Sequence, residues 1–187
     1  MHIKQKYVLG NSGTKYRGLA TVYLRLSIGI DFISAVADRF GWWGAPGTPN
    51  VAWGTFHNFL AYTAKLNPWF PAGLIPTIGW TSTAGEICFG LMLIIGYRTQ
   101  LAAVLSGLLT LAFALGMISG LGIHAPLTYS VFAVSAGSFL LAGVGTYPLS
   151  LDNCRKTMRQ ADGPVIAGDS LEAVSSQRTV QHQRRPA

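Results

Sequence analysis

The chain has 187 residues, of which 50% are hydrophobic and only 11% are charged, and its formal net charge is +7. Soluble domains carry about 25% charged residues, so this composition argues against a water-soluble globular domain. It does not favour nucleic-acid binding either, because the basic residues lie at the ends of apolar runs and form no basic stripe interleaved with aromatic residues. We expect these residues to orient the chain in a membrane and to contact anionic lipid.

The first apolar run covers residues 18–40 and follows a polar, basic segment at 1–17. It resembles a signal peptide in position, but it is too long, contains Arg25 and Asp31, and shows no small-residue cleavage site. The sequence therefore predicts an uncleaved first membrane span that follows a short N-terminal segment.

Residues 41–74 are rich in proline, glycine and aromatic residues, and all five tryptophans of the chain fall between positions 42 and 80. Tryptophan favours the membrane–water boundary, where its ring is half buried and its N–H stays hydrated. Two structures fit this segment. Either residues 51–66 form a helix that lies flat on the membrane with Trp53, Phe56 and Leu60 on one side, or the segment is a loop packed over the helix ends.

Three further apolar runs cover residues 75–96, 101–119 and 126–147. Each is close to the ~20 residues that cross about 30 Å of hydrocarbon, and the short connections predict antiparallel neighbours. The sequence thus predicts an all-α integral membrane protein, a four-helix bundle with an aromatic-rich extracytoplasmic loop or interfacial helix. Residues 148–187 are polar and mixed in charge, which predicts a disordered tail.

The distribution of basic residues predicts the orientation of the spans. Eleven of the fourteen lysines and arginines lie in the N-terminal segment, in the turn at Arg98 and in the tail, whereas the opposite side holds Arg39 and Lys65. Because basic loops remain in the cytoplasm, both termini and the Arg98 turn are predicted to be cytoplasmic. The aromatic segment at 41–74 then faces outside.

Glu86 is the most informative single residue, since it falls near the middle of the second predicted span. An ionised, unpaired carboxylate there costs several kcal/mol, so it must be neutral, paired or directed into a polar cavity. At ~1.5 Å per residue, Arg25 lies roughly 10 Å, Glu86 roughly 15 Å and Asp31 roughly 20 Å from the cytoplasmic end. We therefore predict Arg25 as the partner of Glu86, with Asp31 close by. The group is either a proton relay or polar pocket for a quinone head group, or an ion pair that fixes helix register.

Residue spacing gives no indication of a metal site or of an intrinsic cofactor. His57 and His124 fall on the predicted outer side, but no pair of histidines has the spacing of metal ligands. The two cysteines form no CxxC pair. Phosphate-binding loops, dinucleotide fingerprints and haem-attachment motifs are also missing from the sequence.

Two stretches carry a resemblance to a known family. The first span contains LRLSIG at 24–29 and ends in DRFGW at 38–42, and the second span reads EICFGLMLIIGYRT at 86–99. These stretches resemble the DoxX/DoxD-like family of small four-span membrane proteins. That family shows R-L-x-x-G at the opening of span one and a basic residue with glycine at its end, followed in span two by a glutamate, glycines and a turn with Thr and Arg.

The resemblance covers about residues 19–147. By position, Arg25 and Glu86 match the membrane-embedded charges of the family, and Arg98 matches its cytoplasmic turn. Two features depart from the pattern: the turn has the order Arg-Thr rather than the commoner Thr-Arg, and Asp31 is an additional acidic residue.

The resemblance implies a membrane subunit of a quinone-linked oxidoreductase system in a prokaryotic inner membrane, since some members are subunits of thiosulfate:quinone oxidoreductase. It also implies sulfur metabolism, quinone as a substrate, and a redox partner subunit, and it is compatible with a homo-oligomer. The quinone would lie near Arg25, Glu86 and Asp31 and close to a set of outer aromatic and histidine side chains: Trp42, Trp43, Trp80, His57 and His124. The alternative is a non-catalytic membrane scaffold or a carrier of a small solute or of protons.

Overall fold

The structure is a computed structural model and describes residues 3–161. Seven α-helices and a short 3-10 turn (Ala72–Leu74) are found in this range. The helices are α1 (Ile3–Arg39), α2 (Phe56–Leu66), α3 (Ile75–Ile95), α4 (Thr99–Leu121), α5 (His124–Thr128), α6 (Val131–Gly143) and α7 (Leu151–Ala161).

Three helical segments are long and apolar enough to cross a membrane: Lys15–Arg39, Ala72–Ile95 and Thr99–Leu121. They coincide with the first three predicted spans, so the prediction of a multi-pass helical membrane protein is confirmed. The helix of the first span begins earlier than predicted, because α1 extends back to Ile3. Apolar side chains such as Leu115 remain exposed on these helices, as contact with membrane lipid requires.

The helix within the fourth predicted span, 126–147, is shorter than predicted. α6 contains 13 residues and is therefore about 20 Å long, less than the ~30 Å hydrocarbon core. Ser130 interrupts the run, since it adopts a left-handed backbone conformation with φ of 54° between α5 and α6. The chain leaves the helical conformation after Gly143.

Small residues bring α6 close to α4, and this is the most extensive helix–helix interface among the described residues. The Ser135 hydroxyl on α6 donates to the carbonyl oxygen of Gly107 on α4 at 2.9 Å. The ring of Phe139 occupies the space beside Gly107, where a Cβ atom would lie only 2.9 Å from it. Helices in lipid associate through such close packing, because lipid tails are as apolar as the helices themselves.

A second close approach joins α1 to α3. A Cβ on Gly29 would lie 2.9 Å from the carbonyl oxygen of Gly90, and a Cβ on Gly90 would lie 3.1 Å from that of Gly29. The two helices run antiparallel, and α6 and α4 complete a ring in which each helix contacts two neighbours. The buried centre is formed by residues from all four helices and by the tyrosine that follows them: Ile28, Phe32, Leu93, Ala102, Ala103, Leu141, Ala142 and Tyr147.

At the Arg98 end of the bundle, the segment after α6 folds back against α1 and α3. Arg25 is buried there and donates from Nη2 to the carbonyl oxygen of Leu149 at 2.8 Å. The neighbouring turn is closed by Gly96, which has φ of 74° and ends α3. Its missing side chain leaves room for the Arg25 guanidinium and for Ser150.

Asp152 fixes the first turn of α4. Its two carboxylate oxygens accept from the backbone N–H groups of Arg98 and Thr99 at 2.9 and 2.7 Å. An anionic acceptor at a helix N-terminus satisfies orphan N–H groups and complements the helix dipole. The predicted disordered tail at 148–187 is therefore wrong for Leu151–Ala161, which are helical, while residues 162–187 lie outside the described range.

We expect Gly96→Ala to destabilise the protein more than Gly145→Ala. Both glycines have a positive φ, of 74° and 72°, so both substitutions carry the cost of a positive φ in an L-residue, roughly 1–2 kcal/mol. At Gly96 the added Cβ also meets Arg25 and lies 2.8 Å from the Ser150 Cα, whereas at Gly145 no atom lies within 4 Å. Overpacking should therefore add about 1–3 kcal/mol at Gly96 only. Thermal unfolding of the two purified variants in one detergent measures the difference, and equal losses would contradict this account.

Candidate functional site

The candidate site lies beneath α2, which covers one end of the bundle. Thr55 caps this helix by accepting the N–H of Asn58 at 3.2 Å, and Phe59 is buried on its inner side. The backbone of α2 meets α4 at Gly120, where a Cβ would lie 2.6 Å from the Cα of Leu66. Of the two structures that the sequence left open for residues 51–66, a helix is therefore present at Phe56–Leu66, and it packs over the ends of α3 and α4.

A buried ion pair joins α1 to α3 under this helix. Arg39 and Glu86 are each only 2% exposed. The Arg39 Nη2 donates to Glu86 Oε1 at 2.7 Å, and its Nη1 forms the ion pair with Glu86 Oε2. Arg39 Nη1 also donates to the hydroxyl of Thr83 at 2.7 Å. The charges therefore compensate each other inside the bundle, as a buried carboxylate and guanidinium require.

Aromatic rings cover the outer side of the guanidinium. The ring centroids of Phe59 and Trp53 lie 3.8 and 5.3 Å from the Arg39 Cζ, within the range of cation–π attraction. The preceding residue, Asp38, is also buried and accepts the backbone N–H of Trp53 at 2.8 Å through Oδ2. The end of α1 thus holds both the α3 carboxylate and the segment that leads into α2.

The predicted partner of Glu86 is wrong: the structure places Arg39 against this carboxylate, whereas Arg25 contacts Leu149 at the other end of the bundle. Along the axis of α1, Glu86 lies between the levels of the two arginines, so depth alone does not determine which arginine pairs with it. The direction of the side chains determines the partner, because helical side chains lean towards the N-terminus of their own helix. In antiparallel α1 and α3, Arg39 and Glu86 lean towards each other, and Arg25 leans away.

A cavity of about 1730 Å³ extends from the ion pair into the bundle. Its walls come from α1, α2, α3, α4 and the start of α6, and they are mostly apolar with a few polar groups. Ligand sites in proteins usually have this composition, and the volume exceeds their usual range of about 300–1,000 Å³, so a small molecule with an apolar body has room here. Aromatic side chains form much of the wall: Phe32, Trp53, Phe59, Tyr62, Phe89, Phe113 and Tyr129.

Asp31 and Glu86 line the same cavity. Asp31 shares one face of α1 with Ala35 and Arg39, at intervals of four residues, and it lies about 12 Å along the helix from Arg39. Its side chain is exposed, and it forms no ion pair with the side chains that the structure describes. The cavity lining therefore contains a compensated pair, the Lys65 ammonium on α2, and a single carboxylate further along α1.

The other side chains predicted near a quinone do not line the cavity. Trp42 is 78% exposed and Trp43 is also exposed, with its ring N–H donating to the carbonyl oxygen of Ser34 at 3.0 Å. Trp80 is half exposed and packs against the ring of Phe56 with centroids 4.3 Å apart. The two histidines, His57 and His124, are exposed outside the cavity wall. Exposed tryptophans at one end of a bundle suit the membrane boundary, which explains their position without a ligand.

Among the side chains that the structure describes, no three His, Cys, Asp or Glu residues lie close enough together to hold a metal ion. Comparisons with models of protein families, with curated proteins and with solved structures found no match to this chain. The cavity and its charged side chains are therefore the basis for assigning a function.

We expect Glu86→Gln to lower the free energy of unfolding by about 3–5 kcal/mol, because it leaves the Arg39 charge buried without a counter-charge. Replacing both partners, as Arg39→Met with Glu86→Met, should recover most of this loss, since no buried charge remains. Thermal or denaturant unfolding of the single and double variants tests this directly. A double variant less stable than Glu86→Gln would show that the pair is not a compensated charge pair.

Proposed function

We propose that the chain is a membrane subunit of a quinone-linked oxidoreductase system and that the cavity beneath α2 binds the quinone. The observation that carries this proposal is the cavity itself: a partly open space beneath α2 whose lining is mostly apolar, includes several aromatic rings and contains a smaller number of polar groups. A quinone has a flat polar head and an apolar tail, so it requires such a combination. The resemblance to the DoxX/DoxD-like family, some of whose members belong to thiosulfate:quinone oxidoreductase, favours the same substrate.

Tyr62 is the candidate donor for a quinone carbonyl. Its ring lies 6.0 Å from that of Trp53, its side chain lines the cavity, and no described residue accepts a hydrogen bond from its hydroxyl. Burial raises the pKa of Tyr62, and the neighbouring Tyr129 raises it further. The phenol therefore stays protonated at neutral pH and acts as a donor. The Arg39–Glu86 pair holds α1 and α3 in place around it.

In this proposal the electrons come from another subunit. Reduction of a quinone to a quinol takes up two electrons and two protons. In this proposal a partner that oxidises a sulfur compound such as thiosulfate supplies the electrons. The described residues bind the quinone, exclude water from it with α2, and provide Asp31 and Tyr62 as protonatable groups in its cavity.

We further propose four spans, with both termini on the cytoplasmic side of a prokaryotic inner membrane. In the fourth span, α5, α6 and the flanking residues at 126–147 carry no charged side chain. The Arg98 end carries the larger share of basic residues, which favours the cytoplasm. The opposite end exposes several aromatic residues that suit the outer membrane boundary: Trp42, Trp43, Trp69, Phe70 and Trp80.

A matched pair of variants tests whether the cavity binds a quinone. Ala35 lines the cavity and Ala136 is exposed on α6 outside it, so Ala35→Phe fills the site and Ala136→Phe adds the same volume elsewhere. We expect a short-chain quinone analogue to quench the tryptophan fluorescence of the wild type and of Ala136→Phe, and to bind Ala35→Phe at least about tenfold more weakly. Unchanged binding to a correctly folded Ala35→Phe would refute the assignment of the site.

The subunit assignment has a separate test. Gentle solubilisation of the native membrane and capture through a C-terminal tag should recover a stoichiometric redox protein, identified by mass spectrometry. A folded Arg39→Met, Glu86→Met variant, captured in the same way, shows whether recovery of the redox partner depends on the ion pair beneath α2. Recovery of the wild-type chain alone, or only with further copies of itself, would contradict a role as a redox subunit.

A further inference from the structure

Asp31 is the carboxylate of the cavity lining that forms no ion pair. Arg39 and Glu86 neutralise each other, and the Lys65 ammonium, near the end of α2, lines the cavity without forming an ion pair with Asp31. The Asp31 carboxyl also forms no hydrogen bond within residues 15–158 of the structure. An ionised carboxylate in the interior of a span costs several kcal/mol unless a cation accompanies it.

The walls around this carboxyl favour a particular kind of cation. Aromatic rings from several elements line the same cavity, among them Phe32, Phe89, Phe113 and Tyr129. Their faces attract positive charge, and their large apolar area binds hydrophobic groups. A small hydrated cation would lose its water in such a chamber, whereas an organic cation with its charge spread over apolar groups loses little.

We propose that the cavity binds lipophilic organic cations and that the bound cation takes the place of the proton on the Asp31 carboxyl. In the empty site the carboxyl carries a proton. When the cation enters, the O–H bond breaks, the proton leaves to water, and the carboxylate pairs with the cation, so that charge in the cavity is unchanged. This inference does not depend on quinone binding and adds a second ligand class to the same cavity.

Asp31 is the suitable group for this exchange among the titratable side chains that line the cavity. Glu86 on α3 is already compensated by Arg39 on α1. The remaining ones are a thiol on α3, a phenol and an amine on α2, and a phenol after α5: Cys88, Tyr62, Lys65 and Tyr129. The Asp31→Asn variant, measured over the same pH range, shows whether the pH dependence comes from this carboxyl group.

The test uses the full-length chain, purified in detergent, with tetraphenylphosphonium as the probe. We expect calorimetric titration to show binding that tightens as the pH rises from 5 to about 7, by up to about tenfold per pH unit while the free carboxyl is protonated. The sign follows from competition, because fewer protons occupy Asp31 at higher pH. Titration in two buffers of different ionisation enthalpy should show release of close to one proton per cation at the acidic end.

Two substitutions distinguish the contribution of the Asp31 carboxylate to cation binding from that of the cavity walls. Asp31→Asn should weaken cation binding at least about tenfold and remove its pH dependence, whereas Asp31→Glu should retain both. Because Asp31 is exposed and forms no described hydrogen bond, both variants should unfold near the wild-type temperature, which confirms that they are folded.

Equal binding by the wild type and Asp31→Asn would show only partitioning into detergent or apolar walls and would overturn the inference. Binding that is independent of pH would overturn it as well. The quinone analogue, titrated into the same samples, distinguishes the two proposals: binding of the quinone without the cation refutes this inference alone, and binding of the cation without the quinone refutes the quinone site alone.

Discussion

The main constraint on this fold is the burial of a guanidinium together with a carboxylate. Arg39 and Glu86 form an ion pair inside the bundle, whereas the buried Arg25 and Asp38 hydrogen-bond to the backbone. Neither Arg39 nor Glu86 is tolerable there without the other. Satisfying them requires α1 and α3 to be antiparallel neighbours, with Thr83 as an additional acceptor. It also requires a cover against water, which the aromatic residues of α2 and the preceding segment provide. The cavity lies under this cover, and its lining comes from α1, α2, α3, α4 and the start of α6.

The remaining packing is achieved with small residues rather than with large apolar ones. Gly29 and Gly90 bring α1 and α3 together, Gly107 and Ser135 join α4 to α6, and Gly120 admits the backbone of α2. Membrane helices gain no hydrophobic energy by associating, so close contact between backbones supplies the attraction. The GxxxG pair at Gly116 and Gly120 is thus used to hold α2 and not to pair two spans.

The sequence was sufficient to predict the three long apolar helices, but not the length of α6, the helix at Leu151–Ala161 or the partners within the site. Hydropathy and length predicted the three long apolar helices, because each must satisfy its backbone within a continuous helix. The length of α6 was not predictable, since the break at Ser130 is a backbone conformation and not a change in hydropathy. Glu86 was correctly expected to be paired, yet the depth estimate favoured Arg25. A depth estimated from residue number ignores the direction of the side chains, and this direction brings Arg39 rather than Arg25 to Glu86. Likewise, the prediction selected Trp42, Trp43 and Trp80, which are exposed, whereas Trp53 lines the cavity.

The contact between Arg25 and Leu149 has a consequence for the order in which the protein is made. The two residues are 124 positions apart, so the first helix is synthesised long before its acceptor exists. Arg39 obtains its partner as soon as α3 is complete, but Arg25 remains without its acceptor until the end of the last apolar helix has emerged. Its long side chain, near the end of the bundle, can extend to the membrane surface in the meantime. The Arg25–Leu149 contact can therefore form only after the last apolar helix has been made, and a ribosome-bound chain truncated before Leu149 cannot form it.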